Sequence, residues 1–531
     1  MVAGVGQGIS FSRGLAAVAE QTPPDRRAEV SSTYFVVAYV AISLPVVGEG
    51  LAAEAWGLRT AGIVFALAVA ALAGCAWPQF SCRRRTSTAG RFASVALFPS
   101  PAEIAAQTPP ARDRAIDVIR IVSLVAVVFG HTIMAVSTVR DDVFVWGNLL
   151  SSVPALGALT WVLQIMPLFF FAGTAACVES WAPGHSWGNW LMQRCTRLFR
   201  PVFFYLAFWG VALAVLRFVL PEHVYEPVAG TSIQLLWFLG AYVLVLAAIP
   251  LLYRITTTKR LALGVLAVYG LVVAVDAVRL NVDGLSVLGY LNVVVWLIPG
   301  MFGVAYRRGL LCRLAAKAVA ALMLVVNVLL VWLGPYELSL VGYQEQRLPN
   351  MTPPSALLAG HAVMMCAVAI AAAPAIARWA QRPRVWWLVA IGNSGAMTLY
   401  LWHMPALLGM HLVFDALGLP RYDVDAPDFV ALSVVQLVLM AVMVGVLFVA
   451  LRPLENNPLP GWDGGFVARP GARSAAVGSL LCATGTATLV SVRWGLKDDG
   501  LICVAVLLVA LIAARALATD AKVPAAAPVS G

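Results

Sequence analysis

The chain has 531 residues, of which 61% are hydrophobic and only 12% charged. A soluble domain carries about twice that share of charge, and apolar runs of about 20 residues, each long enough to cross a bilayer as a helix, recur along the sequence, so a soluble globular protein is excluded. The formal net charge of +10 reads as the basic bias of membrane loops, and no nucleic-acid partner is expected.

Helices satisfy their own backbone in lipid and open strands do not, so the expected fold is an all-α polytopic membrane protein. Residues 1–32 are polar and mixed, and the apolar run that follows is too long for a signal peptide. Fourteen spans are expected, at 33–51, 58–79, 115–137, 153–178, 201–220, 232–252, 260–279, 285–306, 311–333, 354–378, 386–413, 428–452, 474–493 and 500–518. Composition divides them. After the 1–32 segment, 33–79 is an N-terminal transmembrane hairpin and 80–114 a basic linker. A ten-span core covers 115–452, a Pro-, Gly- and Asn-rich linker 453–473, a C-terminal hairpin 474–518 and a tail 519–531. The loops alternate between basic stretches such as "SCRRRTSTAGR" and "YRRGLLCR" and acidic ones such as "PEHVYEP". Basic loops stay on the cytoplasmic side, which places both termini in the cytoplasm and the chain, multi-pass, in the cytoplasmic membrane. The eight cysteines show no metal-ligand or disulfide spacing and read as small packing residues.

The third span raises the first functional question, because "IDVIRIVSLVAVVFGH" carries Asp117, Arg120 and His131. Arg120 and His131 stand 11 residues apart, about three helical turns and about 16 Å, within about 20° of the same face. Asp117 lies one turn before Arg120. The bland reading of these two is an interfacial salt bridge, and that of His131 a hydrogen bond to a neighbouring helix. Ionisable groups at membrane depth are costly unless they face protein or water, so the stripe is expected to face the bundle interior. Before the fifth span, "RCTRLFRP" places Arg194, Arg197 and Arg200 at three-residue spacing, with Pro201 suited to the first turn of the next helix. Guanidinium forks match phosphate oxygens; ordinary loop charge is the competing reading. In the eleventh span, "GNSGAMTLYLWHMP", Ala396, Tyr400 and His403 share a face with Gly392, which also suits a tight helix interface. His131, His361 and His403 are expected at similar depth. Three histidines can bind zinc, but nothing in the sequence shows that they converge; proton handling fits imidazole better, and no metal is predicted. Glu179 is expected at an interface, and His185, His223 and His411 near solvated loops.

With these residues in place, the middle of the chain resembles the acyltransferase-3 family of membrane acyltransferases, the O-antigen acetylase type. The resemblance rests on "RAIDVIRIVSLVAVVFGH", "MPLFFFAGT" (with Ala172 where a Ser is common), "RLFRP", "LWFLGAYVLV" and "TLYLWHMP", and covers roughly 112–452. It implies a ten-helix enzyme taking an acyl group, acetyl by default, from cytoplasmic acyl-CoA to a hydroxyl of an envelope glycan, glycolipid or secondary metabolite. Arg120 and His131 become the essential pair, Arg197 and Arg200 match the Arg-x-x-Arg motif, and His403 a recurring position. The chemistry of the residues agrees. His131 is placed as base, and Tyr400 or His403 to orient the acceptor or the oxyanion. Arg120, Arg194, Arg197 and Arg200 lie where CoA phosphates would enter from the cytoplasm, and Asp117 is counted with the cofactor-binding residues. With no fused soluble domain visible, an envelope-biosynthesis partner protein is compatible. A proton-coupled transporter is the alternative from another class, although no repeated halves are visible, and a structural scaffold leaves the Arg-to-His stripe unexplained.

Overall fold

The computed structural model describes residues 98–140, 143–182, 184–282, 284–342, 348–419, 421–463 and 471–518. The expected 1–32 segment, the 33–79 hairpin, most of the 80–114 linker and the 519–531 tail lie outside the described residues. The chain divides into two compact units. The larger takes in Pro101–Ala214, Leu220–Asp415 and Leu419–Gly531 and holds every side chain discussed below; the smaller contributes, among described residues, 98–100 and the helix ends Val215–Val219 and Ala416–Gly418.

Among the described residues, twelve helical segments are long and apolar enough to cross a membrane, and they correspond in order to the last twelve expected spans. A short helix α1 (Pro101–Gln107) precedes α2 (Arg114–Met134). Asp113 starts α2 by accepting from the N–H groups of Ala115 and Ile116, donors that a first turn leaves without helical partners. Val122, Val125 and Phe129 form its exposed stripe, spaced three and four residues apart as one helix face requires. The chain then enters an antiparallel hairpin, β1 (Ala135–Arg140) and β2 (Val143–Asn148), with Ser137 opposite Trp146. Hydropathy alone predicts a helix end and a loop here. Val136, Thr138 and Val139 are β-branched, lose rotamer freedom in a helix and fit a pleated strand better.

The fourth span is broken. A 3-10 turn (Pro154–Leu159) and a short helix (Thr160–Leu163) lead into α3 (Met166–Cys177), where Pro167 occupies the first turn. Then comes α4 (Trp187–Val219), with Pro201 inside it. This corrects the expectation that Pro201 opens a helix. Membrane helices tolerate an interior proline where neighbours re-satisfy the freed backbone, and Pro201 here is buried. Next are α5 (Glu222–Thr231), α6 (Leu236–Ala247) and α7 (Thr258–Asn281). A long 3-10 segment (Ser286–Trp296) leads into α8 (Leu297–Arg307), and α9 (Arg313–Leu333) and α10 (Ala356–Trp379) follow. The expected eleventh span is two helices, α11 (Pro383–Asn393) and α12 (Ala396–Ala416), interrupted at Ser394 and Gly395. At the break Gly395 is pressed against the next long helix, α13 (Phe429–Asn456): a Cβ on it would lie 2.4 Å from the Phe448 ring.

α2 packs on α3, α10, α11 and α13, so its inner face is enclosed by other helices of the core. The C-terminal hairpin, α14 (Ala472–Ser491) and α15 (Asp499–Ala518), docks on this core through α14 against α6. A Cβ on Gly240 would sit 2.5 Å from the carbonyl oxygen of Gly485, a backbone-to-backbone approach of the kind that small residues permit in membranes. Lys497 pairs with Glu226 at 2.7 Å, and Arg515 donates to the Trp462 carbonyl at 2.8 Å.

Candidate active site

The His131 and His403 side chains, from α2 and α12, meet. His131 Nδ1 lies 2.9 Å from His403 Nε2 and the rings stack with centroids 5.2 Å apart. His403 Nδ1 is 3.1 Å from the Leu399 carbonyl, one turn back on its own helix. A carbonyl only accepts, so His403 Nδ1 carries the proton and Nε2 a lone pair. His131 Nδ1–H then donates to that lone pair, which leaves His131 Nε2 unprotonated. This assignment follows from the hydrogen-bond chain. Among the described residues no hydrogen bond occupies His131 Nε2. The pair therefore presents one basic nitrogen, with its tautomer set by a fully buried neighbour.

Tyr400 shares the α12 face with His403, but its hydroxyl donates to the Leu235 carbonyl. Of the two readings of Tyr400, the polar contact across a helix interface is the one this bond matches. Its one O–H is spent between helices because the side chain is buried and a buried hydroxyl without a partner is costly. Tyr400 instead positions the helix that bears His403. Glu455, at the end of α13, does the same at the α12 N-terminus. It accepts from Met397 N at 3.3 Å and from Thr398 N and Oγ1, both at 2.8 Å. No sequence signal marks Glu455, since a cap contributed from 57 residues downstream has no local spacing.

At the other end of α2 the expected Asp117–Arg120 pair does not form. Asp117 is held by Arg112 through two hydrogen bonds of 2.6 and 2.8 Å. The turn before α2 brings Arg112 back over the first turn, whereas three helical steps rotate Arg120 about 60° away from Asp117. Hydrogen bonding to Asp117 raises the Arg112 guanidinium above its ordinary range. Arg120 is partly buried, with no ion pair or hydrogen bond among the described residues. It lines a cleft of about 350 Å³ together with Thr108, Arg112, Trp386, Asn393 and Ser394. Trp386 donates to Thr108 at 2.7 Å and carries the Arg114 guanidinium 4.7 Å above its ring. Asn393 donates to the Asp117 carbonyl at 2.9 Å and leaves its own buried Oδ1 unpartnered. Asn393 carries one sequence signal only, its place in a helix-breaking Asn-Ser-Gly run. A larger hollow, about 540 Å³, is lined by Glu222, His223 and Glu226, but contains neither member of the Arg-to-His stripe. The smaller cleft contains Arg120 and Asp117, but neither histidine of the pair.

The three arginines of "RCTRLFRP" do not converge. Spacings of three on a continuous helix fan them over about 120°. Arg194 stacks 3.7 Å above Trp190 and donates to the Ser180 hydroxyl and, at 2.9 Å, to the Trp190 carbonyl. Arg197 is exposed. Arg200 is buried, donating to both carboxylate oxygens of Asp463 and, at 2.8 Å, to the Glu455 carbonyl. Arg200 is thus tied to the linker after α13, and the expectation that all three meet phosphate is corrected. Glu179 pairs with Arg307, and His185 is exposed.

His361 stays apart from the pair. Its Nε2 lies 2.9 Å from the Gln164 carbonyl and its ring edges onto Trp161. Among the described residues no three His, Cys, Asp or Glu side chains are grouped to hold a metal ion. His411, expected near solvent, is fully buried beneath β1.

Residues 113–452 match the family model of an acyltransferase domain. No curated protein and no solved structure matches the chain.

Proposed function

Because the chain belongs to the acyltransferase-3 family of membrane acyltransferases, we propose that it moves an acyl group, acetyl by default, from acyl-CoA to a hydroxyl of an envelope glycan, glycolipid or secondary metabolite. The observation that carries this reading is the 2.9 Å His131–His403 contact, which leaves one bare imidazole nitrogen on the same helix as Arg120, a guanidinium with no hydrogen bond or ion pair among the described residues.

The chemistry follows from that arrangement. The acceptor hydroxyl donates to His131 Nε2 as its oxygen attacks the thioester carbonyl carbon. His131 takes the proton, the carbon–sulfur bond breaks, and the departing thiolate receives the proton back. His403 Nε2 accepts from His131 Nδ1–H throughout, so the imidazolium that forms is oriented and partly neutralised by a hydrogen bond. The Arg120 cleft suits the donor's anionic end. It offers free guanidinium donors, a second arginine and an indole face, and its size lies at the low end of small-molecule sites. In this reading the cleft opens to the cytoplasm, both termini are cytoplasmic, residues 115–452 are the catalytic core, and the His pair lies toward the outer half of the cytoplasmic membrane. Arg197, exposed on α4, is the one member of its motif left to meet phosphate; Arg194 and Arg200 brace the surrounding helices. A proton-coupled carrier, the competing class, gains no specific observation.

The test compares lipids, envelope glycans and secreted metabolites by mass spectrometry from cells with the gene, without it, and with His131→Ala. Loss of an acyl-sized mass from the same molecule in both altered strains is expected. Unchanged molecules, or an accumulated solute without an acyl difference, would refute acyl transfer.

A further inference from the structure

Between the Arg120 cleft and the His pair, α2 packs less tightly than its position in the bundle demands. Val122, Val125 and Phe129 face outward. Arg120, Val127 and His131 lie roughly opposite, about 150–175° round the helix from that stripe and within about 40° of one another. An inward face is ordinarily closed, and Leu124, beside them, is 1% exposed. Yet Arg120, Val127 and His131 are each partly exposed, so open space runs along the inner face of α2. Val127 stands two turns beyond Arg120 and one turn, about 6 Å, before His131. α12 holds the counterpart. Of residues 396–403, Leu399 alone is not buried. It sits one turn before His403, within about 40° of the same face, and its carbonyl accepts from His403 Nδ1. α12 is not among the helices packed along α2; the two imidazoles bridge the space between them.

At its Arg120 end this open strip meets the cleft that Arg120, Asn393 and Ser394 line. Asn393 and Ser394 stand at the break between α11 and α12. Glu455, which caps α12 at Met397 and Thr398, lies within electrostatic reach of Arg120. Beyond the pair the seam is filled, because Ala406, Leu407, Met410 and Phe414 of α12 pack with Ala135 and Met440. A group that enters at the cleft and reaches His131 therefore passes Val127 and Leu399 and meets packed side chains ahead of it along α12. Both residues are aliphatic and offer no hydrogen-bonding atom on the side chain to a phosphate, an amide or a hydroxyl. Apolar surface of this kind favours an acyl chain. We propose that Val127 and Leu399 form an apolar collar one turn before the His pair that sets the length of the acyl group transferred, admitting a short chain and excluding a long one. The collar rests on the acyl-transfer reading above and adds to it the residues that select the donor.

The test measures transfer from radiolabelled acetyl-CoA and octanoyl-CoA into the lipid and glycan fractions of membrane vesicles carrying the full-length protein, with vesicles from cells without the gene as background. The quantity read is the octanoyl-to-acetyl ratio of kcat/KM within each variant, which cancels any loss of folded protein. The parent should favour acetyl by about 100-fold or more, since a single methylene in an apolar pocket is worth about 10- to 200-fold. Val127→Ala and Leu399→Ala should each raise the ratio about tenfold or more, and the second variant keeps the test open where the first does not fold. Val125→Ala, the same truncation on the outward face of α2, should leave the ratio unchanged. Acetyl transfer with a ratio that neither inward variant moves, an equal shift in Val125→Ala, or a parent that uses both donors alike would overturn the collar and leave acyl transfer standing. Background-level product from both donors would sink the acyl-transfer reading and the collar with it.

Discussion

Replacing His403 with Phe is the sharpest perturbation of the proposed base. The ring breadth is kept, but the Nε2 lone pair that His131 Nδ1–H meets at 2.9 Å is lost. A buried donor left without a partner costs about 1–3 kcal/mol. His131 also becomes free to carry its proton on Nε2, where it cannot act as base. Together these should remove about 2–4 kcal/mol of transition-state stabilisation, or about 30- to 900-fold in kcat. His403→Gln supplies an amide oxygen near the lost nitrogen and should retain kcat within about tenfold of the parent. His131→Gln removes the base and should cost about 10²- to 10⁴-fold. The assay is the initial rate of acyl transfer from radiolabelled acetyl-CoA into lipid and glycan fractions of membrane vesicles, normalised to folded protein by thermal unfolding. His403→Phe within about twofold of the parent, or His403→Gln no better than His403→Phe, would refute the assignment of His403 as the group that fixes the tautomer.

Other perturbations separate structural from chemical roles. Asp463→Asn should destabilise the chain by about 3–5 kcal/mol, because it strands the buried Arg200 guanidinium, and Arg200→Met with Asp463→Leu should recover most of the loss; denaturant titration in detergent reads both. Arg120→Gln should raise the KM for acyl-CoA with little change in unfolding temperature, since no hydrogen bond or ion pair is lost among the described residues; a large fall in unfolding temperature would count against a guanidinium held ready for the donor. Glu455→Ala removes the α12 cap and should cost about 1–2 kcal/mol, lowering kcat through the His403 position and leaving acyl-CoA KM unchanged. Gly240→Leu should part α14 from α6, read as faster proteolysis between α13 and α14; an unaltered digestion pattern would show that the Gly240–Gly485 contact does not hold the hairpin.

Spans, their order and the functional helix were legible in the sequence, because each rests on local physics. An apolar run of bilayer length has few alternatives to helix. Arg120 and His131 fall on one face because 11 residues are close to three turns, and the family motifs are strings. The histidines of the candidate site stand out as residues, but their pairing does not. The 272 residues separating His131 from His403 carry no periodic signal, and only the packing of α12 behind α2 brings their rings together.

Tertiary structure alone decided which polar groups are spent and which stay available. Arg120, Arg194, Arg197 and Arg200 are alike as residue types, yet Arg200 is consumed by Asp463 and Arg194 by Trp190 and Ser180, while Arg120 makes no hydrogen bond or ion pair among the described residues. Tyr400, which its spacing leaves open to orienting an acceptor or to bridging helices, is tied to Leu235, and His411, expected near a solvated loop, is buried under a hairpin. A hydrogen bond needs its two atoms within about 3 Å, and the helix ends, breaks and glycine contacts that set such distances depend on neighbours remote in the chain. The sequence by itself determined the helices and their chemical inventory. Which inventory remains free to act was settled by long-range packing, because a buried polar group takes whatever partner the fold brings within reach.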